Sequence, residues 1–350
     1  MTGRRHTHSS LVGPAPQRCW YPVAAAADVG RSLQRIEALG QDIVLFRTLD
    51  GAVAALEDCC VHRPYPLSLG RLSADAVVCG LCGFEYGPTG HCLGVPTQDR
   101  IPAGASVRSF IVREQYGTVW LWFGERASQR PSALPKLGWL DATGWTTVSG
   151  ARTVAANYLL LHESFADVTK IAVLAPDIAP YVLRTTPPPL DVVVTETTVS
   201  LERRYPPTQL PAWQAEALGV DDTALFVHEQ QGHFRSPAVW VDHWDVVVAD
   251  ETPSRLRFSH FVTPVDERTT RLGWWISRDF ATDTNITSRR LIDMFTPYYN
   301  SLGAALERSQ LLLDRRDRHE VNVSADVAAL RVREIVRAML SEEGLDRSAP

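Results

Sequence analysis

The sequence predicts a two-domain α+β protein, with an all-β domain first and a larger domain of sheet and helices second. A chain of 350 residues is too long for one small core. Short strands with turn signals fill its first third, and longer strands followed by two long helical stretches fill the rest. The expected divisions are a disordered tail at 1–17, a first domain at 18–128, a linker at 129–140 and a second domain at 141–345.

The first domain is expected to contain two β-hairpins. The first turns at Asp50-Gly51, a residue pair that favours tight hairpin turns, and the second turns at Tyr116-Gly117. The flanking strands are expected at 42–47 and 52–56 for the first hairpin, and at 106–113 and 118–123 for the second.

The second domain is expected to form a long antiparallel sheet around a long C-terminal helix. A helix at 159–173, ended by Pro176, separates its first strand from the others. Strands are expected at 146–154, 192–204, 224–234, 238–248, 255–264 and 270–278, and the terminal helices at 286–316 and 324–342.

Composition excludes several classes of protein. A net charge of -5 gives no electrostatic reason to expect nucleic acid or an anionic membrane as a partner. No run of eighteen apolar residues is present, and the N-terminal segment MTGRRHTHSS lacks the apolar stretch of a signal peptide. We therefore expect a cytoplasmic protein, and six cysteines in that reducing compartment favour metal binding over disulfides.

One motif carries most of the chemical information. Cys60 and His62 form one arm, and Cys79 and Cys82 form a second arm after an interval of sixteen residues. Two donors on each of two tight loops are typical of a metal site. We expect one metal centre per chain, held by these four side chains.

With these residues in view, the chain resembles a known family. The first domain resembles the Rieske domain of Rieske-type non-haem iron oxygenases, and the second is similar to the vanillate O-demethylase branch of their alpha subunits. The resemblance rests on segments 20–23, 60–63, 79–86, 157–167, 260–264 and 277–280. It implies a Rieske domain followed by a helix-grip (START/Bet v1-like) domain, and a head-to-tail homotrimer.

The chain departs from the family pattern first at position 82. A Rieske cluster has two cysteines on one iron and two histidines on the other, and Cys82 stands where the second histidine belongs. Three thiolates and one imidazole can still hold a [2Fe–2S] cluster, at a lower potential than a two-histidine site. The same four ligands also suit tetrahedral zinc, which the sequence favours slightly.

A second departure concerns the mononuclear iron of the second domain. The resemblance places two histidines and one carboxylate at positions that here carry Lys170, Ala175 and Ser309. An ammonium and a methyl group offer no lone pair to a metal. We therefore expect no mononuclear catalytic iron in this chain.

The residues near the vacated ligand positions provide catalytic candidates. Asp167, which in the family bridges two subunits, could share a helix face with Glu163 and Lys170, and His162 is adjacent. These four side chains are either new catalytic groups or buried charges left where iron was. Lysine favours the first reading, because the chain has only two lysines and otherwise uses arginine.

Further candidates lie on the expected strands of the second domain. Alternate histidines would face the cavity, and the tryptophans are either core residues or the wall of an apolar ligand pocket. The residues in question are His228, His233, His243, His260, Trp240, Trp244, Trp274 and Trp275.

Three functions remain open on the sequence. The first is a non-redox enzyme that cyclises or isomerises a bulky apolar metabolite, of the kind found in bacterial secondary metabolism. The second is a redox-active [2Fe–2S] subunit that acts with a reductase or another partner. The third is a non-catalytic binding subunit.

Overall fold

The computed structural model describes residues 13–124, 131–184, 186–247, 253–315 and 320–346. They divide into two compact units, one of residues 17–134 and one that joins residues 13–16 to the chain from 135 onward. Residues 1–12 of the expected tail, and residues 129 and 130 of the expected linker, lie outside the described residues.

The described residues of the first unit form ten short strands in three antiparallel sheets. The sheets have the orders β1-β10-β9, β2-β3-β4 and β5-β6-β7-β8 in the following numbering. The strands are β1 (Trp20–Ala25), β2 (Gln34–Ala38), β3 (Gln41–Arg47), β4 (Val53–Glu57), β5 (Arg71–Ser73), β6 (Ala76–Val78), β7 (Glu85–Tyr86), β8 (Cys92–Gly94), β9 (Ile111–Gln115) and β10 (Thr118–Trp122).

Both predicted hairpins form, β3–β4 and β9–β10. The strand expected at 106–113 begins later, at Ile111. Before it, Ser106 and Ser109 make only isolated bridges, to His91 and Leu56. The core of this unit includes Phe46, Leu56 and two of the predicted ligands, Cys60 and Cys79. The hydrophobic core therefore directly supports the loops that carry the predicted ligands.

In its described residues, the second unit is one seven-stranded antiparallel sheet with five α-helices. The sheet order is β11-β17-β16-β15-β14-β13-β12. Its strands are β11 (Thr146–Val154), β12 (Asp191–Val194), β13 (Val199–Thr208), β14 (Phe226–Ser236), β15 (Val239–Val247), β16 (Ser254–Pro264) and β17 (Thr270–Arg278), and its helices are α1 (Tyr158–Ala166), α2 (Ile171–Leu174), α3 (Ala212–Leu218), α4 (Asn285–Leu313) and α5 (Val327–Glu342).

The predicted α+β fold class is confirmed, and β11 and β17 match the expected bounds. The long helix α4 packs on β11, where Arg152 pairs with Glu307 at 2.7 Å. At the start of α1, the backbone nitrogen of Asn157 donates to the buried Gln310 of α4 at 2.9 Å. These contacts fix α1, and with it the candidate catalytic residues, against the helix and the sheet.

The prediction of a single helix at 159–173 is wrong. Helix α1 ends at Ala166, because Asp167 has extended backbone angles (φ -119°, ψ 95°) and its side chain accepts a hydrogen bond from the Thr169 amide. An aspartate that satisfies a following amide starts a new helix rather than continuing the old one. A 3-10 turn at Val168–Lys170 then leads into α2.

The prediction of a single strand at 192–204 is also wrong. It is two strands, β12 and β13, joined by a turn in which the Thr195 amide donates to the Thr198 carbonyl at 2.9 Å. Threonine has a high strand propensity, and its hydroxyl also supports turns, so the sequence alone left this turn hidden.

Candidate functional sites

Tight turns carry the cysteines of the first unit. Cys60 follows β4, and its amide donates to the Tyr65 carbonyl at 3.0 Å. Cys79 follows β6, and its amide donates to the Phe84 carbonyl at 2.9 Å. The Gly83 amide donates back to Cys79 at 3.0 Å, which closes the turn that contains Cys82. Each arm of the motif is therefore held by its own backbone.

The turns bring three sulfurs together. The Sγ atoms of Cys60, Cys79 and Cys82 all lie within 4.8 Å of one another, and those of Cys60 and Cys82 are 3.6 Å apart. Thiolates about 2.3 Å from a tetrahedral metal are separated by roughly 3.8 Å, so this donor set fits a thiolate-bound metal centre. Tyr86 Oη lies 3.2 Å from the Cys60 sulfur and can donate to it.

His62, the fourth predicted ligand, lies outside the sulfur group. Its ring is exposed and stacks on Phe84, with the ring centroids 4.9 Å apart and an interplanar angle of 7°. The structure thus brings together three of the four predicted donors. His62 follows Cys60 by two residues on the same loop, and its role as the fourth ligand stays a prediction.

Neighbouring residues hold the loops in place. The buried Asp58 accepts from both the amide and the hydroxyl of Ser68, at 2.6 and 2.5 Å. Gly83 has φ +72°, and a Cβ on Gly80 would lie 2.9 Å from the Leu69 carbonyl oxygen. Both positions therefore require glycine beside the two cysteines of the second arm.

The candidate catalytic residues of the second unit do not share one helix face. Lys170 Nζ donates to the backbone carbonyl of Glu163 at 3.5 Å, while the Glu163 carboxylate pairs with Arg333 of α5. Asp167 caps the 3-10 turn through Thr169 instead. Burial lowers the pKa of Lys170, although the nearby carboxylates of Asp167 and Glu163 oppose that shift.

Lys170 lines a groove with a volume of about 610 Å³. Glu163 of α1 and Ser309 of α4 line the same groove. Ala175 follows the last residue of α2. Within the part of the chain that the structure describes, the three thiols are the only group of three or more metal-binding side chains. The residues at the three pattern positions do not fit a mononuclear iron.

His162 is enclosed by aromatic rings. Those of Tyr158 and Phe234 meet it edge-on, and its Nε2 lies 2.9 Å from the Pro237 carbonyl oxygen, to which it donates. It does not line the groove that contains Lys170. Full burial lowers its pKa to about 4, so the ring is neutral at pH 7.

A folded-state pKa below the unfolded value makes stability fall in acid. The stability from neutral burial of His162 is complete above the unfolded pKa of 6.5 and is lost as the pH falls through about 4. Between pH 6.5 and 4, the free energy of unfolding of His162→Gln should therefore fall by less than that of the unsubstituted protein, with a difference of up to about 3 kcal/mol. Denaturant unfolding across this range checks it, with the exposed His91→Gln as control. An unchanged pH profile in His162→Gln contradicts the assignment.

A second cavity, defined here as the aromatic cavity, lies in the same unit. Its volume is about 90 Å³, whereas pockets for drug-sized ligands usually exceed 300 Å³, so a bulky ligand requires the lining to move. The lining is Ser164, Phe165, Val168, Ile171, Ile178, Pro180, Leu183, Trp213, Gln214, Gln230, Asp242, Trp244, Leu256, Phe258, His260, Phe295 and Tyr298.

A buried chain of polar groups lies along this cavity. Asp242 Oδ1 accepts from Trp240 Nε1 at 2.9 Å, and Asp242 Oδ2 lies 3.6 Å from His260 Nδ1. His260 Nε2 is 2.8 Å from Tyr299 Oη. Burial raises the pKa of Asp242 to about 8 and lowers that of His260 to about 3. The facing pair is therefore uncharged overall at neutral pH and can either donate or accept a proton.

Sequence reasoning found only part of this cavity. His260 and Trp244 were candidates and line it, whereas Asp242, Trp213 and Tyr298 were missed. A usable signal was present on β15, where the two-residue period of a strand puts Trp240, Asp242 and Trp244 on one face. Burying an acidic residue between two tryptophans costs free energy, so this pattern indicates a functional polar group.

The two units match known family models. Residues 19–110 match the Rieske [2Fe-2S] domain, and residues 154–342 match the vanillate O-demethylase oxygenase C-terminal domain. The chain belongs to the Rieske oxygenase family. The resemblance seen in the sequence is thereby confirmed for both domains of this Rieske oxygenase family member.

Individual relatives extend this result. The vanillate O-demethylase oxygenase subunit of Pseudomonas sp. strain HR199 is 25% identical over 94% of this chain and 96% of its own length. The putative toluene-4-sulfonate monooxygenase system iron-sulfur subunit TsaM2 of Comamonas testosteroni is 37% identical over 45% of each chain, so that match spans under half of the relative. The structure of dicamba monooxygenase bound to 3,6-dichlorosalicylic acid has a TM-score of 0.86 at 23% identity, covering 95% of this chain and 99% of that one. That likeness establishes the fold.

Among the described helices of this Rieske oxygenase family member, none combines the length and the apolar character that crossing a membrane requires.

Proposed function

We propose that this chain is the substrate-binding subunit of a Rieske-type oxidoreductase system, with the thiol-rich centre of its first domain receiving electrons from a reductase. The observation that carries the proposal is the group of three sulfurs within 4.8 Å of one another, inside the segment that matches the Rieske domain. The relatives named as oxygenase and iron-sulfur subunits support the same class of function.

The protein residues define what the centre would be. Cys60, Cys79 and Cys82 would hold the metal as thiolates, and His62 would be the fourth ligand if its ring turned away from Phe84. A [2Fe–2S] group bound there would supply one-electron transfer. A thiolate at position 82 adds negative charge where the family has a neutral imidazole, which favours the oxidised form and lowers the potential. Zinc remains the competing occupant of the same four ligands.

The second domain would bind the small-molecule substrate in the aromatic cavity. Its walls are mainly aromatic and aliphatic, and a few polar groups converge on it, as in most small-molecule sites. Asp242 and His260 would orient a polar substituent or move a proton. We also propose the head-to-tail homotrimer that the family resemblance implies, because that interface does not depend on the mononuclear iron.

A second candidate function is a non-redox cyclisation or isomerisation. It is favoured by the donor gap at the iron position, where Lys170, Ala175 and Ser309 cannot replace two histidines and a carboxylate. In such a reaction, the Asp242–His260 pair could act as acid and base, and Lys170 could polarise a carbonyl. The Lys170 proposal requires a substrate that reaches the groove rather than the aromatic cavity.

Metal content and redox behaviour of the purified full chain distinguish the two functions. We expect about two irons and two sulfides per chain and a visible spectrum that bleaches under dithionite. Turnover of any converted compound should then require a reductase and oxygen, with the oxygen chemistry at a site other than positions 170, 175 and 309 or in a partner subunit. Stoichiometric zinc, no bleaching and anaerobic turnover would instead establish the non-redox function. In that case Lys170→Met should abolish turnover and the exposed Lys136→Met should not.

A further inference from the structure

The aromatic cavity contains hydrogen-bond donors that the protein does not satisfy. Trp213 Nε1, Trp244 Nε1 and Gln230 Nε2 are each buried without a hydrogen-bond partner, on side chains that line the cavity. Trp213 is 9% exposed, Trp244 is 8% exposed and Gln230 is 1% exposed. Buried polar groups in native proteins are almost always paired, so three unpaired donors in one small cavity point to acceptor atoms on a ligand.

The orientation of the Gln230 amide is fixed by its neighbours. Tyr205 Oη donates to Gln230 Oε1 at 2.8 Å. That phenol oxygen is itself hydrogen-bonded by Arg203, which can only donate, so the phenol proton is directed at the glutamine. The amide oxygen is therefore used within the protein, and the amide nitrogen is the group left for a ligand.

The described lining of the cavity offers no cation to an anionic ligand. Among the residues that the structure describes, neither lysine nor arginine lines it. His260, the one basic side chain in that described lining, already faces Asp242 at 3.6 Å. A ligand carboxylate would therefore be buried beside an acidic residue without a counter-ion, which is strongly unfavourable.

We propose that the aromatic cavity selects an uncharged aromatic compound with at least two acceptor oxygens, and that it rejects the carboxylate of the same shape. Carbonyl, ether or ester oxygens would accept from the two indoles and from Gln230, while the ring packs on Phe165, Phe258 and Phe295. The inference rests on the proposed function only in taking this cavity as the substrate site. It assigns a substrate class to it.

Three single-ring probes suited to a small cavity test the selection by calorimetry on the full chain at pH 7. Methyl 4-hydroxybenzoate is uncharged with two ester oxygens, 4-hydroxybenzoate is the corresponding carboxylate without the methyl group, and 4-ethylphenol lacks the ester oxygens. We expect the ester to bind at least about tenfold more tightly than the anion. It should also bind at least about fivefold more tightly than 4-ethylphenol. An anion that binds as tightly as the ester would overturn the proposal.

Substitution of one indole provides the structural control. Trp244→Phe keeps an aromatic wall and removes one donor, so the ester should lose about fivefold in affinity while 4-ethylphenol changes little. Trp275→Phe alters a tryptophan that does not line the cavity and should leave both affinities unchanged. Equal weakening of ester and ethylphenol by Trp244→Phe would show that the donor is not used.

The two levels of inference fail separately. If the purified chain lacks a reducible centre but shows this order of affinities, the redox function is wrong and the substrate class stands. If the centre is reducible and the anion binds best, the substrate class alone is wrong.

Discussion

Replacing Cys79 with serine is expected to remove the metal centre and to destabilise the whole first domain. Cys79 is 3% exposed, belongs to the same hydrophobic core as Phe46 and Leu56, and is one of the three clustered sulfurs. A structural metal contributes its binding free energy to folding, so losing a ligand removes both the metal and that stabilisation. Nearly all bound metal should be lost, and the melting temperature of the β-rich unit should fall by many degrees.

Cys59 offers a matched control for this experiment. It is the adjacent thiol, partly buried, and it is not part of the sulfur group. Cys59→Ser should retain the full metal content and a nearly unchanged melting temperature. Elemental analysis and circular dichroism on both variants check the prediction. Retention of metal by Cys79→Ser, or its loss from Cys59→Ser, would refute the ligand assignment.

The second large effect is expected at the buried ion pair between α1 and α5. Arg333 contacts Glu163, and both side chains are largely buried, at 13% and 16% exposed. Arg333 Nη1 also pairs with Glu320 at 2.8 Å. Burial raises the pKa of Glu163, and Arg333 opposes that shift. Arg333→Met would leave the carboxylate buried without this partner, at a cost of about 3–5 kcal/mol in the free energy of unfolding.

Two further variants show whether the cost comes from the unpaired charge. Arg331, two residues away on the same helix, pairs with Glu334 on the surface, so Arg331→Met should cost less than about 1 kcal/mol. The double variant Glu163→Gln/Arg333→Met removes both charges and should recover much of the loss. Denaturant unfolding followed by the helical circular dichroism signal reports on the second unit, which contains the α-helices. An Arg333→Met variant as stable as Arg331→Met would contradict this account.

The ion pair also bears on the role of Lys170. With the Glu163 carboxylate held by Arg333, Lys170 donates to the backbone carbonyl of Glu163 instead, and the groove it lines is not the aromatic cavity. Lys170 is therefore well placed to tie the 3-10 turn to α1. Its catalytic role, like those of His162, Glu163 and Asp167, stays a prediction.

The fold class, nearly every strand of the second sheet and the loops that carry the thiols could be predicted from the amino-acid sequence. These features depend on local signals, namely alternating apolar residues, hairpin turns and a Cys-x-His spacing, which survive without knowledge of distant contacts. The family match then confirmed both domains.

Which side chains meet could not be predicted without the folded structure. The break at Asp167 separates residues that an unbroken helix would have put on one face, and Arg333 reaches Glu163 across 170 positions of sequence. Asp242, Trp213 and Tyr298 converge on one cavity from a strand and two helices. Such long-range pairings follow from packing and burial, which periodicity does not encode, so the polar groups that this protein leaves for a ligand became visible only in the folded chain.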